Sequence, residues 1–99
     1  MTYKLIFKEG VEKDLAKLST YQEMIVLRQF VKLQHAPQLG TPLGNKAEYN
    51  LSGCKKIYVD KKKIRIVYRV IDDEIIVEVI VVGKRDDMKV YGEASKRLK

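Results

Sequence analysis

Three consecutive apolar runs in the second half of the chain limit the fold more than any other feature. The runs CKKIYVD, KIRIVYRVID and EIIVEVIVV have the composition and alternation of β-strands. The links between them are short and centre on Lys61–Lys62 and Asp72–Asp73. Because such links join antiparallel neighbours, the runs predict an antiparallel meander. The last run is apolar on both faces, so we expect a central strand that is covered on both sides.

The N-terminal part predicts one strand and two helices. Alternation from Tyr3 to Phe7 indicates a short strand, which ends at Gly10. Apolar residues then recur at helical spacing in a short helix at Val11, Leu15 and Leu18.

A longer helix is predicted from about residue 21 to about residue 35, where a proline at position 37 stops it. We expect Met24, Leu27 and Val31 on its buried side. Residues 37–53 are rich in proline, glycine and asparagine and indicate a loop, with a short strand near residues 47–51. Asp86 or Asp87 can cap a final helix through Leu98.

These elements predict a single α+β domain over residues 1–99. Two N-terminal helices pack on the antiparallel meander, and a short C-terminal helix completes the fold. A length of 99 residues supports one modest core. The sequence lacks an apolar run long enough to cross a membrane, and charges interrupt every candidate signal core, so we expect a cytoplasmic chain that has no contact with membranes. With a single cysteine, Cys54, and a single histidine, His35, we expect neither a disulfide nor a metal site, and no cofactor.

The net charge of +7 arises from 20 basic and 13 acidic residues and favours a polyanionic or acidic partner. The basic residues concentrate in the C-terminal half. The first cluster is Lys55, Lys56, Lys61, Lys62, Lys63, Arg65 and Arg69; the second is Lys84, Arg85 and Lys89; the third is Lys96, Arg97 and Lys99.

Strand alternation brings cations and phenols towards one place. Lys56 and Tyr58 share one face of their strand, and in the natural hairpin register Arg65 joins them. Arg85 follows the end of the neighbouring strand and can reach the same rim, and Tyr91 lies in the second turn of the next helix. This group suits a phosphodiester, because arginine binds phosphate oxygens and tyrosine stacks on bases.

The runs CKKIYV, IRIVYRVIDD and VIVVGKR followed by VYGEASKR resemble the RelE toxins of the RelE/ParE superfamily. The opening YKLIF and the two early helices fit as well, so the resemblance covers nearly the whole chain. It implies a toxin of a type II toxin–antitoxin pair, a metal-independent endonuclease that enters the ribosomal A site and cuts mRNA during translation. It also implies a RelB-like antitoxin as partner, whose complex with the toxin binds operator DNA.

The resemblance assigns roles to four residues. Lys56 matches a lysine that contacts the RNA phosphate, and Arg65 matches an arginine that stabilises charge on the scissile phosphate. Arg85 matches a phosphate ligand that also donates a proton to the leaving oxygen. Tyr91 matches a tyrosine that stacks on the substrate base and orients the attacking 2′-hydroxyl.

Tyr58 departs from the pattern, since the family has a lysine there that serves as general base. Free phenol and ammonium groups are equally poor bases at neutral pH, with pKa values of about 10 and 10.4, and nearby cations favour loss of the proton from both. Tyr58 is therefore a tolerable substitute. Alternatively Lys63, or a lysine of the Lys61–Lys62 turn, reaches in, or cleavage is slower.

Six further lysines are expected to bind RNA. They are Lys55, Lys61, Lys62, Lys63, Lys84 and Lys89. Two other functions stay open at this point: a ParE-like poison of DNA gyrase, and a non-catalytic basic RNA-binding module. An acidic antitoxin segment is expected to wrap around the domain and to displace or cover the helix that carries Tyr91.

Overall fold

Five strands form one sheet in the part of the chain that the computed structural model describes, residues 2–46, 49–84 and 89–98. The strands are β1 Lys4–Phe7, β2 Thr41–Lys46, β3 Tyr49–Val59, β4 Ile64–Ile71 and β5 Ile76–Lys84. The helices are α1 Val11–Ala16, α2 Thr20–His35 and α3 Lys89–Leu98. The α+β class and the meander β3–β4–β5 are as predicted. Whether residues 86 and 87 cap α3 lies outside the described residues.

The strand order is β1-β5-β4-β3-β2, so the predicted central strand β5 is next to the edge strand β1. All neighbours are antiparallel except β1 and β5, which run parallel with Lys4 opposite Ile76 and Phe7 opposite Val79. The turn after β3 is where it was predicted. Lys61 and Lys62 both have positive φ there, as a type I′ hairpin turn requires.

Each face of the sheet carries its own apolar core, because the meander strands alternate as the sequence predicts. Ile64, Ile66 and Tyr68 of β4 face α1 and α2. Val67 points the other way and packs with Val90, Tyr91 and Ala94 of α3. The sheet therefore separates the two N-terminal helices from α3, and that arrangement places α3 over the face that carries Lys56 and Tyr58.

The prediction of a loop over residues 37–53 was wrong in its second half. Residues 41–46 form β2, and β3 begins at Tyr49 rather than at Cys54. The sequence did not predict β2 because it contains Pro42 and Gly44, and both residue types are rare in strands. They are accommodated because β2 is an edge strand whose register shifts between these two residues. Residues 47 and 48 of the predicted short strand lie outside the described residues.

The predicted buried side of α2 was also wrong. Met24, Leu27 and Val31 are 46%, 45% and 53% exposed, and the core side instead carries Val26, Phe30 and Leu33. Both sets recur at helical spacing, so periodicity alone did not decide which face is covered. The helix begins one residue before the prediction and ends at His35 as predicted, and the side chain of Ser19 caps it by accepting a hydrogen bond from Gln22 N.

The end of β5 extends past β1, and an ion pair between α1 and α3 covers the exposed strand edge. The guanidinium of Arg97 donates two hydrogen bonds to Asp14, from Nη1 to Oδ2 at 2.7 Å and from Nη2 to Oδ1 at 3.1 Å. Nη1 also donates to Ile80 O at 2.9 Å, and Val82 N donates to Asp14 Oδ2 at 3.0 Å. The pair thus satisfies backbone groups of β5 and ties α3 to α1. We call it the Asp14–Arg97 clamp.

Gly10 makes room for the clamp. Its φ is +104°, a conformation that favours glycine, and an added Cβ would lie 2.7 Å from Arg97 Cζ. Within the third basic cluster of the sequence, Arg97 turns inward to the clamp while Lys96 is exposed. Lys99 lies outside the described residues. In the described part of the chain, no helix is both long and apolar enough to cross a membrane.

Candidate active site

Lys56 and Tyr58 are neighbours on the α3 face of β3, and Arg65 of β4 lies directly across from Tyr58. Lys56 Nζ donates a hydrogen bond to the hydroxyl of Tyr58 at 3.1 Å and lies 5.1 Å from the centre of its ring. Arg65 Cζ is 5.7 Å from the same ring centre. The β3–β4 register therefore holds one phenol between two cations.

Tyr91 covers Arg65 from the side of α3. Arg65 Cζ lies 4.4 Å from the centre of the Tyr91 ring, so the guanidinium makes cation–π contacts with two tyrosines. Tyr91 is only 1% exposed and Arg65 only 5%. The ring lies two residues after Lys89, the first described residue of α3. The face of Tyr91 on which a base would stack is closed in this arrangement.

The surroundings of Tyr58 favour its charged form. The hydrogen bond from Lys56 lowers the pKa of Tyr58 to about 8; partial burial opposes this change, and the hydrogen bond and charge of Arg65 add to it. A phenol with a pKa of 8 is about one-tenth ionised at pH 7, whereas a free phenol is about one-thousandth ionised. Tyr58 is thus the described group at this site that is best suited to accept a proton near neutral pH.

The other predicted site residues lie around this group or away from it. Lys61, Lys62 and Lys63 are exposed in the turn that follows β3. Lys84 ends β5 opposite Ile64, and Lys89 begins α3, so both flank the group. Lys55 alternates to the opposite face of β3 and is not brought to it. Arg85 lies outside the described residues, and its role stays a prediction.

Arg97 was missed as a residue that places α3, although the sequence holds a signal for it. Val90, Ala94 and Arg97 recur at positions i, i+4 and i+7, and the first two are buried. Because a buried charge is costly unless it is paired, a basic residue on the buried face of a helix predicts an acidic partner. Its partner Asp14 lies 83 residues earlier, and only the fold brings the two together.

The described residues contain no group of three or more His, Cys, Asp or Glu side chains that could hold a metal ion. Cys54 is buried, and that burial raises the pKa of its thiol, so it is a poor nucleophile. The chemistry that these side chains offer is proton transfer by a phenol and charge stabilisation by lysine and arginine.

Known proteins resemble this chain in sequence and in fold. The family described as ParE toxin of type II toxin–antitoxin system, parDE, matches residues 5–88. The mRNA interferase toxin RelE of Escherichia coli (strain K12) is 35% identical over 98 residues, which cover 99% of each chain. A solved structure of an arginine double mutant of E. coli RelE in the free state has a TM-score of 0.80, with 32% identity and full coverage of both chains.

A second solved structure contains the same E. coli toxin mutant in complex with the antitoxin RelBc peptide. It has a TM-score of 0.72, with 32% identity and 98% coverage of each chain. Sequence similarity and fold thus agree over nearly every residue. The chain belongs to the RelE/ParE superfamily of type II toxins and, within it, to the RelE family.

Proposed function

We propose that this toxin is a ribosome-dependent mRNA endonuclease that cleaves in the A site. The observation that carries the proposal is the convergence of Lys56, Tyr58, Arg65 and Tyr91 on one face of the sheet. The 35% identical relative named mRNA interferase toxin RelE supports the same activity. A gyrase poison would not need this set of side chains.

In the proposed reaction the 2′-hydroxyl of a nucleotide attacks the adjacent phosphorus. Tyr58, as phenolate, takes the hydroxyl proton, and Lys56 and Arg65 stabilise the negative charge that builds on the phosphate oxygens. The bond to the 5′-oxygen breaks, and that oxygen takes a proton from Arg85. The products are a 2′,3′-cyclic phosphate and a 5′-hydroxyl end. Tyr91 supplies a flat surface for the base.

Substrate entry requires α3 to move relative to the sheet. With Tyr91 1% exposed and Arg65 5% exposed, a nucleotide cannot contact either group while α3 keeps its position. The two ends of α3 are held by different contacts, because Val90 and Tyr91 make apolar and cation–π contacts whereas Arg97 belongs to the clamp. We propose that the first turn of α3 moves and that the clamp keeps the helix attached.

Replacing Tyr58 with phenylalanine should lower the single-turnover rate of A-site cleavage at least about tenfold, because the ring stays and the proton acceptor is lost. Ribosome binding should be unchanged, since the substitution removes no charge from Lys56 or Arg65. Cleavage sites are mapped by primer extension on translating ribosomes, and binding is measured by co-sedimentation. Tyr3→Phe, a surface phenol whose hydroxyl bonds Asp72, is the matched control. Unchanged cleavage in Tyr58→Phe would reject Tyr58 as the base.

The pH dependence provides a second test of Tyr58. Its pKa of about 8 means that the phenolate fraction rises with pH up to that value and then levels off. The wild-type rate should therefore increase about tenfold per pH unit below pH 8 and become flat above it. Tyr58→Phe should lose this rise, and a rise of equal slope in that variant would assign the ionisation to another group.

A gyrase poison is the second candidate, because the matching family is described by the ParE toxin. DNA breaks that appear only when gyrase is present would support it. A-site cuts without such breaks would support the endonuclease.

We further propose that an antitoxin covers the exposed apolar face of α2. This face consists of Tyr21, Met24, Leu27 and Val31, and Phe7 of β1 lies with Leu27 along an apolar groove beside it. An apolar helix face of this kind suits a partner segment that buries it. The E. coli relative has been solved with the antitoxin RelBc peptide, which supports a partner of the same kind here.

The double substitution Leu27→Gln and Val31→Gln should weaken antitoxin binding by roughly a hundredfold, because each buried apolar side chain contributes about 1.5–3 kcal/mol. Leu39→Gln, which changes an exposed apolar residue outside α2, should leave the affinity within about threefold. Titration calorimetry with the antitoxin encoded beside the toxin measures both. Equal affinities for the wild type and the double variant would exclude this face from the interface.

A further inference from the structure

A groove of about 1110 Å³ lies between α1 and α3 along the end of β5, separate from the Lys56–Tyr58–Arg65–Tyr91 group. Its volume exceeds the roughly 300–1,000 Å³ that is usual for small-molecule sites. Six lysines from α1 and its C-terminal cap, from α3, from the end of β5 and from the residue after β1 line it: Lys8, Lys13, Lys17, Lys84, Lys89 and Lys96.

The groove holds more than half of the excess positive charge of the chain. Its lining has seven cationic side chains, the six lysines and Arg97, against three acidic ones, which leaves +4 of the net +7. Three of the lysines, Lys8, Lys13 and Lys17, come from the first 17 residues. The basic residues concentrate in the C-terminal half of the sequence, but this basic surface draws on both halves. The fold collects both ends of the chain into one basic surface.

The acidic side chains of the groove do little to neutralise these lysines. Asp14 and Glu93 are both bound to Arg97, at 2.7 Å and 3.1 Å. Among the residues that the structure describes, Lys13, Lys17, Lys84 and Lys96 form no salt bridge. Lys8 has a long contact of 3.8 Å with Glu78, which also binds Arg69. Two of the three acidic side chains of the groove, Asp14 and Glu93, are thus held by Arg97, which leaves Lys13, Lys17, Lys84 and Lys96 available for an external anion.

The lysines of each helix point to the same side. Lys13 and Lys17 are four residues apart on α1 and its C-terminal cap, and Lys89 and Lys96 are seven apart on α3. Two rows of cations therefore face each other across a channel whose floor is Val81, Val82 and Gly83. Spaced point charges along a channel match the repeating phosphates of a nucleic-acid backbone better than a single compact anion.

We propose that this α1–α3 groove binds the phosphate backbone of RNA during attack on the ribosome. The proposal rests on the proposed function for the choice of RNA as the polyanion. Lys84 and Lys89 stand at the end of the groove nearest the candidate active site, so a bound strand and the scissile nucleotide lie on adjoining surfaces. The groove supplies affinity and orientation, and the chemistry stays with the other group.

The test uses the triple substitution Lys13→Gln, Lys17→Gln and Lys96→Gln. These residues are exposed, so the fold should be unaffected, which melting and circular dichroism check. The matched control is Lys4→Gln, Arg28→Gln and Lys32→Gln, three exposed cations outside the groove, with the same final charge of +4. Binding is measured across salt concentrations with three probes: 70S ribosomes with a vacant A site, an RNA hairpin, and a single-stranded RNA with 2′-deoxy sugars that resist cleavage.

We expect the groove variant to bind ribosomes roughly tenfold more weakly, and the slope of log affinity against log salt to fall by about 2 to 3, since each lost phosphate contact removes about 0.7–0.9. The control should change affinity by less than about threefold. If the groove variant loses affinity for the hairpin but not for the single strand, the ligand is ribosomal duplex RNA. If it loses affinity for the single strand, the ligand is messenger RNA. Either outcome supports the proposal.

If the groove variant and the control lost the same amount of RNA affinity, the proposal would be overturned, because the change in net charge alone would explain both losses. Unchanged binding to all three RNA probes, with weakened binding to the antitoxin, would also overturn it and assign the groove to a protein partner. Since every measurement is of binding, a wild-type protein that binds ribosomes through the groove but cuts no mRNA would reject the proposed endonuclease and leave this inference standing.

Discussion

Replacing Arg65 with glutamine should lower the single-turnover rate of A-site cleavage by about a hundredfold or more, the largest catalytic effect that we expect from a described residue. A donor aimed at developing negative charge in a site that excludes water contributes about 10²–10³ in rate. Arg65 lies directly across from Tyr58, and its side chain is mostly buried, at 5% exposure. The measurement is quench-flow on ribosomes programmed with a defined message.

Arg69→Gln is the matched control, because it removes the same charge from the same face of β4 four residues away. Its partner is Glu78, near the other end of the strand, and it has no contact with Tyr58. Melting curves separate loss of fold from loss of chemistry. A rate for Arg65→Gln within about tenfold of wild type, in a protein that is fully folded, would remove Arg65 from the proposed mechanism.

Breaking the Asp14–Arg97 clamp should give the largest loss of stability. Both side chains are mostly buried, and removing one partner of a buried, hydrogen-bonded ion pair typically costs about 3–5 kcal/mol because the other charge is left without compensation. Arg97→Met should therefore lower the melting temperature by more than about 12 °C, given that 1 kcal/mol corresponds to about 4–8 °C in a domain of this size. The hydrogen bond to the Asp14 carboxylate raises the pKa of Arg97, so the guanidinium stays charged at physiological pH.

Three variants sharpen the test of the clamp. Lys96→Met removes a neighbouring exposed cation and should change stability by no more than about 0.5 kcal/mol. Arg97→Lys keeps the charge but loses the bidentate geometry, so it should fall between wild type and Arg97→Met. Adding Asp14→Leu to Arg97→Met should recover part of the loss only, because Val82 N then lacks its acceptor. A melting temperature of Arg97→Met within a few degrees of wild type would show that the clamp does not hold α3.

The sequence predicted best those features that follow from strict alternation. Two strands joined by a tight turn have little freedom of register. The alternation of these strands therefore predicted one shared face for Lys56, Tyr58 and Arg65. The face of α2 could not be decided, since apolar residues occupy both sides of that helix. The burial of Arg65 under Tyr91 was not predicted, because a basic residue in a strand is expected at the surface unless a partner from elsewhere in the chain is known.

The parallel pairing of β1 with β5 has a consequence for the newly made protein. The backbone N–H of Lys4 finds its acceptor, Ile75 O, only after that residue has been synthesised, and the clamp forms only after Arg97 has followed. Folding therefore depends on contacts between the two extremes of the polypeptide, which form late. A chain truncated before Ile76 would therefore lack the partner strand of β1, and one truncated before Arg97 would lack the clamp that ties α3 to α1.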